Sequence, residues 1–229
     1  MAGAQGSDSL VIIRQVFEEL GGREALFRQQ KAEAGILSDQ GEIAATEIML
    51  HCIPVFLGKG IESVTVNDLI QAAGVSRRTF YKYYPSKMAV LETVYRAGVD
   101  LMMGQLQMMA SESTSLRELV ERSVGLFFDC HRYIGPLLKL LEEEAMRSES
   151  PLAVYRQQGY DAMVELFHTK MLDLGLEAPD RMVFYTLIWA MEAASLNLLK
   201  DTRHTREDVN RVREVVIRIV MNSLQPVGH

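Results

Sequence analysis

Cysteine is scarce in this chain. Cys52 and Cys130 are the two present among 229 residues, so no disulfide framework can staple the fold. Long apolar runs are missing too. None is long enough to span a bilayer and no secretory apolar segment opens the chain, which together predict a cytoplasmic protein in a reducing compartment. The signatures of catalysis are equally absent. There is no glycine loop to cradle a phosphate, no nucleophile elbow, no His-Glu-x-x-His and no Cys-x-x-Cys, so an enzyme is not expected. Metal and cofactor sites find no support either: His51 and Cys52 are neighbours that do not share a helix face, and Cys130-His131 has the wrong spacing for a zinc knuckle. An excess of positive charge is also lacking, and the net charge of −6 argues against indiscriminate nucleic-acid binding.

What is present is aliphatic and helical. Hydrophobic residues make up 48% of the chain and aromatic residues 7%, with thirteen methionines that suit adaptable packing or a plastic pocket. The length allows one large or two small domains with a substantial core. Charge is unevenly spread: residues 41–88 carry +1, while 1–40 carry −2 and 89–229 carry −5. The positive charge gathers at 77–87. Three parts follow from this pattern, at 1–40, 41–88 and 89–229. In the first, Leu10, Ile13, Val16, Phe17 and Leu20 make a helical stripe that Gly21-Gly22 breaks, and residues 23–34 form a second helix. This extension is expected to pack on the body or on a partner subunit, with Arg14, Arg23, Arg28 and Lys31 as its candidates for touching DNA.

The stretch TVNDLIQAAGVSRRTFYKYYPSK, 65–87, carries the most information. Thr65 is placed to cap a helix, with Asp68 three residues on as its partner. Val66, Leu69, Ile70 and Ala73 follow at helical spacing, and Gly74 stops the helix because it enters the left-handed region without strain. Ser76 caps a second, short helix that Pro85 ends. The turn between them has the length and the glycine of a helix-turn-helix. Phe80 and Tyr84, four apart, are predicted to face inward. Arg77 and Arg78 are directed to bases, since arginine can bind guanine bidentately. Thr65, Ser76, Thr79, Lys82, Tyr83 and Lys87 complete the predicted DNA-binding set, mostly toward phosphates. The supporting helix before the turn, about 42–57, contains Pro54, which costs about 3 kcal/mol or more inside a helix, so a kink or an early end is expected there.

The segment from about Gly41 to Leu101 resembles the N-terminal domain of the TetR family of transcriptional repressors. The resemblance rests on the Thr that opens the first helix of the motif, the Ala-Gly-Val turn, the Thr-Phe-Tyr of the second helix and the Pro-Ser-Lys that opens the helix after it. It implies an all-α fold with a helix-turn-helix DNA-binding domain over 41–88 and a ligand-binding and dimerisation domain over 89–229. It also implies a homodimer, a two-fold symmetric double-stranded DNA operator and a small-molecule effector.

Beyond 88 the pattern predicts helices at about 86–109, 116–130, 133–148, 151–175, 179–200 and 206–224. The 179–200 helix is apolar almost all round, so it needs cover on more than one face. With Ala190, Ala193 and Ala194 allowing close approach, it is expected to pair with its symmetry mate alongside 206–224. The candidate ligand-binding residues are Phe127, Met146, Tyr160, Met163, Phe167, Tyr185 and Trp189. His131, Glu143, Glu192 and Asn197 are polar groups able to orient a ligand, with a subunit interface or rim the stronger expectation for Glu192. The run Glu142-Glu143-Glu144 is expected to be solvated.

Overall fold

Residues 39–200 and 205–224 are described by a computed structural model. The predicted helices of the extension lie outside the described residues. Eight helices and no strand appear among those described: α1 (Asp39–Lys59), α2 (Val66–Ala73), α3 (Arg77–Tyr83), α4 (Lys87–Glu112), α5 (Leu116–Ala145), α6 (Leu152–Asp173), α7 (Arg181–Lys200) and α8 (Arg206–Leu224). The all-α expectation therefore holds. None of these helices is long and apolar enough to cross a membrane.

The chain divides into two compact units. One joins the described residues up to Leu101 with Pro136–Tyr155; the other joins Met102–Gly135 with the residues from Arg156 onward. This is a division of packing, distinct from the functional boundary expected near residue 88.

In the first unit, α1 buries Ala45, Ile48, Met49, Cys52, Ile53 and Phe56, while α2 contributes Leu69 and α3 contributes Phe80. Each large side chain so buried stabilises the unit by roughly 1.5–3 kcal/mol before entropy is counted. Burial also pushes the Cys52 thiol up to about 12, which keeps it protonated, and its Sγ lies 3.9 Å from the Leu69 carbonyl. Pro54 does not end α1, which runs on to Lys59 and stops at Gly60 with φ +74°. The early end is thus corrected. The buried side chains before Pro54, with Phe56 after it, offset the one missing backbone bond.

α5 breaks where Pro136 cannot donate a backbone hydrogen bond and its ring crowds the preceding turn. Ile134 leaves helical geometry there (φ −124°, ψ 20°). The two helices expected at 116–130 and 133–148 are the two halves of this span. Glu144 is buried, against the expectation of a fully solvated acidic run. Consecutive positions fan around a helix, and 144 falls on the inner side beside Arg147, whose Nη1 is 3.7 Å from its carboxylate.

In the second unit, Leu116, Val120, Val124 and Phe128 of α5 meet Val164 and Met171 of α6, Phe184 of α7, and Val216, Met221 and Leu224 of α8. The caps repeat a device of the first unit. Thr205 accepts from the Asp208 amide at 3.2 Å while Asp208 accepts from the Thr205 amide at 2.8 Å, as Thr65 and Asp68 do at the head of α2.

Candidate nucleic-acid interface

The α2–turn–α3 unit is built almost wholly from local bonds. Thr65 heads α2 with a reciprocal capping box: its hydroxyl accepts from the Asp68 amide at 3.2 Å and the Asp68 carboxylate accepts from the Thr65 amide at 2.9 Å. Lys59 Nζ donates to Asp68 at 2.6 Å. That lysine, then the Thr65 amide and hydroxyl, hold the Asp68 carboxyl down at about 2. Gly74 sits at φ +63°, with its amide bonded to the Gln71 carbonyl and the Val75 amide to that of Ile70, which closes α2. Two residues later the Ser76 hydroxyl accepts from the Thr79 amide at 3.0 Å and starts α3.

α3 is fixed from inside. Phe80 is fully buried, and the buried Tyr84 donates its hydroxyl to the Ala45 carbonyl of α1 at 3.0 Å. These two residues face inward as the spacing predicts. Arg77, Arg78, Tyr81 and Lys82 are exposed, with Thr79 and Tyr83 partly so. Among the described residues, Arg77 and Arg78 take part in no ion pair or hydrogen bond. Lys82 Nζ stands 5.0 Å from the Tyr83 ring centroid. The short helix therefore presents a cationic face whose donors are unspent.

Phosphate oxygens only accept hydrogen bonds, so a phosphate contact needs a free donor. That test divides the predicted set. The Thr65 hydroxyl donates to Asp68 at 2.9 Å, which makes Thr65 a cap. Ser76 and Thr79 share a hydroxyl–hydroxyl bond of 2.8 Å, which leaves one donor between them. The Lys87 ammonium donates to the carbonyls of Ile61 (2.7 Å), Glu62 (3.2 Å) and Val64 (2.8 Å), so its three N–H groups are all engaged inside the protein. Nothing in the sequence around Lys87 reveals this, because its partners are 23 or more residues away. Tyr81, outside the predicted set, is exposed on the same helix. It is 45% exposed and its ring packs edge-on against Phe80, 5.8 Å between centroids. Its spacing of four from Arg77 was the available signal.

The candidate ligand residues do not form one group. Phe127, Phe167 and Tyr185 pack against the core of the second unit, and Tyr160 is buried with its hydroxyl 2.6 Å from the Glu192 carboxylate. Met163 is half-buried. Trp189 is 43% exposed beside Tyr185, ring centroids 5.9 Å apart. Met146 is exposed and belongs to the first unit. Glu192 is not at a rim: it is buried in an ion pair with Arg156, whose guanidinium lies 4.9 Å from the Tyr160 ring centroid. The side chain of His131 lies outside the described residues. Between α7 and α8 runs an apolar groove lined by Leu187, Ala190, Met191, Ala194, Val215 and Ile219 among others.

Comparison with known proteins agrees with this geometry. Residues 54–94 match the family model for bacterial regulatory proteins of the tetR family. The transcriptional activator FasR of Mycolicibacterium smegmatis is 23% identical over 133 residues, 58% of this chain and 61% of that protein. The transcriptional repressor KstR2 of the same organism is 26% identical over 104 residues, 44% of this chain and 49% of its own length. The alignments thus span less than two thirds of either relative. The crystal structure of the TetR-family repressor FadR from Thermus thermophilus, in complex with lauroyl-CoA, superposes with a TM-score of 0.60 at 19% identity, covering 81% of this chain and 97% of that one. With the capped helix-turn-helix and the family match across it, residues 54–94 carry the signature of the tetR family of bacterial regulatory proteins, on an all-helical fold shared with solved members of that family.

Proposed function

We propose that this protein is a dimeric, ligand-responsive repressor that binds a pseudo-palindromic DNA operator and leaves it when a small, largely apolar effector binds. The observation that carries the DNA half is the unspent cationic face of α3. Arg77 and Arg78 read bases, while Lys82, Tyr83 and the hydroxyl left free by Ser76 and Thr79 hold the backbone. In this reading residues 41–88 are the DNA-binding domain and 89–229 the ligand-binding and dimerisation domain. Two copies with α3 in successive major grooves place the readers about 34–36 Å apart.

The pairing surface is assigned to α7 and α8. Ala190 and Ala193 are exposed, and so are Met182, Val215 and Ile219, an apolar surface that a second copy would cover. Effector binding is assigned to the second unit near Phe127, Tyr160, Met163, Phe167, Tyr185 and Trp189, with Met146 left out because it sits in the other unit. An acyl chain is the effector class favoured, since the structurally similar Thermus protein holds lauroyl-CoA. Such an effector acts by binding the DNA-incompetent dimer more tightly than the DNA-bound one.

Selection of bound duplexes from genomic fragments, then anisotropy titration with and without acyl-CoA, tests this directly. A two-fold symmetric site released by an acyl-CoA is expected. No selected site, or specific binding that survives Arg77→Ala with Lys82→Ala, removes the reader assignment. A second reading has its own support: FasR is named an activator. If effector strengthens DNA binding, or transcription in a purified system rises with the protein, the chain is an activator of the same fold.

A further inference from the structure

We propose that the turn between α1 and α2 sets DNA affinity without touching DNA, and that Lys87 and Arg147 are its positioning residues; the inference rests on the DNA-reading role of α3. The turn, residues 60–64, is short, yet it is held from three sides. Lys87, at the head of α4, gathers the carbonyls of Ile61, Glu62 and Val64 on one ammonium, at 2.7, 3.2 and 2.8 Å. Three carbonyls from four consecutive residues can converge on one cation only if the turn curls around it. Lys59 reaches over the turn to Asp68 at 2.6 Å. Arg147 comes from far along the chain and bonds the Glu62 carboxylate at 2.8 Å.

Arg147 is exposed but multiply paired. One guanidinium serves three carboxylates: Glu62, Glu149 at 3.1 Å and Glu144 at 3.7 Å. Glu144 is 9% exposed, so withdrawing Arg147 would leave a nearly buried carboxylate without its cation. Glu62 and Glu149, then Glu144, raise the Arg147 guanidinium above its ordinary range. Arg147 follows the distal half of α5, which belongs with the DNA-reading helices in the first unit.

The consequence for DNA follows from chain order. The turn delivers Thr65 and Asp68 to the capping box of α2, and α2 passes its orientation to α3 through the closed turn at Gly74. A shift at 61–64 is therefore a tilt of the reading helix. Lys87 has all three donors on the turn, and Arg147 reaches it through Nη1 while Nε and Nη2 bond Glu149, so both influence operator affinity through geometry alone. A phosphate-binding cation behaves differently: its loss lowers the dependence of log K on log salt by about one.

The test compares wild type with Lys87→Met, Lys87→Arg and Arg147→Ala. Two readouts are taken: affinity for a selected duplex over a range of salt, and hydrogen exchange at the Thr65, Asp68 and Leu69 amides. Lys87→Met is expected to weaken binding roughly tenfold and Arg147→Ala about threefold, both at unchanged salt slope and with faster exchange at those amides. Lys87→Arg keeps the charge but its planar fork cannot gather three carbonyls, so it also weakens binding; it serves if Lys87→Met fails to fold. A salt slope lowered by about one in Lys87→Met, or full binding by Lys87→Arg, makes Lys87 a phosphate contact and overturns the inference. Unchanged exchange in both the Lys87 and Arg147 variants overturns it as well. If the wild-type chain selects no duplex, the DNA reading fails, and the exchange arm still decides whether these residues hold the turn.

Discussion

The helix-turn-helix and the α7–α8 pair are both helical surfaces with polar and apolar sides, yet they are specified in different ways. Over 65–87 the caps and the turn are made by bonds within three or four residues: Thr65 with Asp68, Ser76 with Thr79, Gly74 at its positive φ. The residues left over, Arg77, Arg78 and Lys82, are the ones available to a ligand. In α7 and α8 the assignments run across space. Glu192 meets Arg156 and Tyr160, 36 and 32 residues away, and the apolar residues divide between a core and an open groove. A surface built on short-range bonds declares its function in its sequence. A surface built on long-range packing does so only once folded.

The comparison can be broken or sharpened by experiment. Phe80→Ala empties the fully buried centre of the reader, and a loss of about 3–5 kcal/mol is expected in chemical denaturation; a loss below about 1 kcal/mol would mean that α3 is not anchored by Phe80. Arg77→Ala and Arg78→Ala remove unspent donors, not structural ones. Each is expected to cost roughly 1–3 kcal/mol in operator affinity while leaving the thermal midpoint in place, which separates reading from folding.

Ile219→Asp puts a charge on the exposed apolar face of α8. It is expected to raise the dimer dissociation constant by on the order of tenfold or more, read by sedimentation, with no effect on the isolated fold. Gly74→Ala meets no atom within 4 Å, so only its φ of +63° resists the change; a cost of about 1 kcal/mol is expected from the left-handed backbone.

The smallest effect concerns pH. Asp68 has its carboxyl lowered to about 2 in the folded chain, from an ordinary 3.8. A depressed carboxyl contributes stability that is complete above its unfolded value and lost as pH falls through the folded one. The capping box should therefore weaken between about pH 4 and pH 2, and Asp68→Asn should remove that part of the acid transition. An acid transition identical in both chains would show that the box contributes nothing to it.

Much of the reader was legible because its signals are short-range. The caps, the glycine stop and the inward pair Phe80 and Tyr84 depend on spacing that any helix imposes. The surroundings of Lys87 were not legible for the opposite reason: a lysine at the head of a helix beside a DNA reader looks like a phosphate contact, and only the fold brings the 61–64 carbonyls around it. The early end expected at Pro54 did not occur, because local cost was weighed without the apolar burial around it. The ligand candidates were only partly legible. An aromatic and methionine stripe marks an inward face, but cannot say whether that face meets core, as Phe167 does, or solvent, as Trp189 does in part.

By itself the sequence determined that the chain is helical, that residues 65–87 form a capped helix-turn-helix, and which side of α3 carries free cations. Periodicity and capping act over one or two helical turns, so the order of residues suffices to decide them. The tertiary structure decided where Lys87 and Arg147 spend their charge, that Glu192 is paired, and that Met146 stands apart from the aromatic set. Those outcomes depend on which distant segments meet, and the meeting is decided by burial summed over the whole chain, not by any local run of residues.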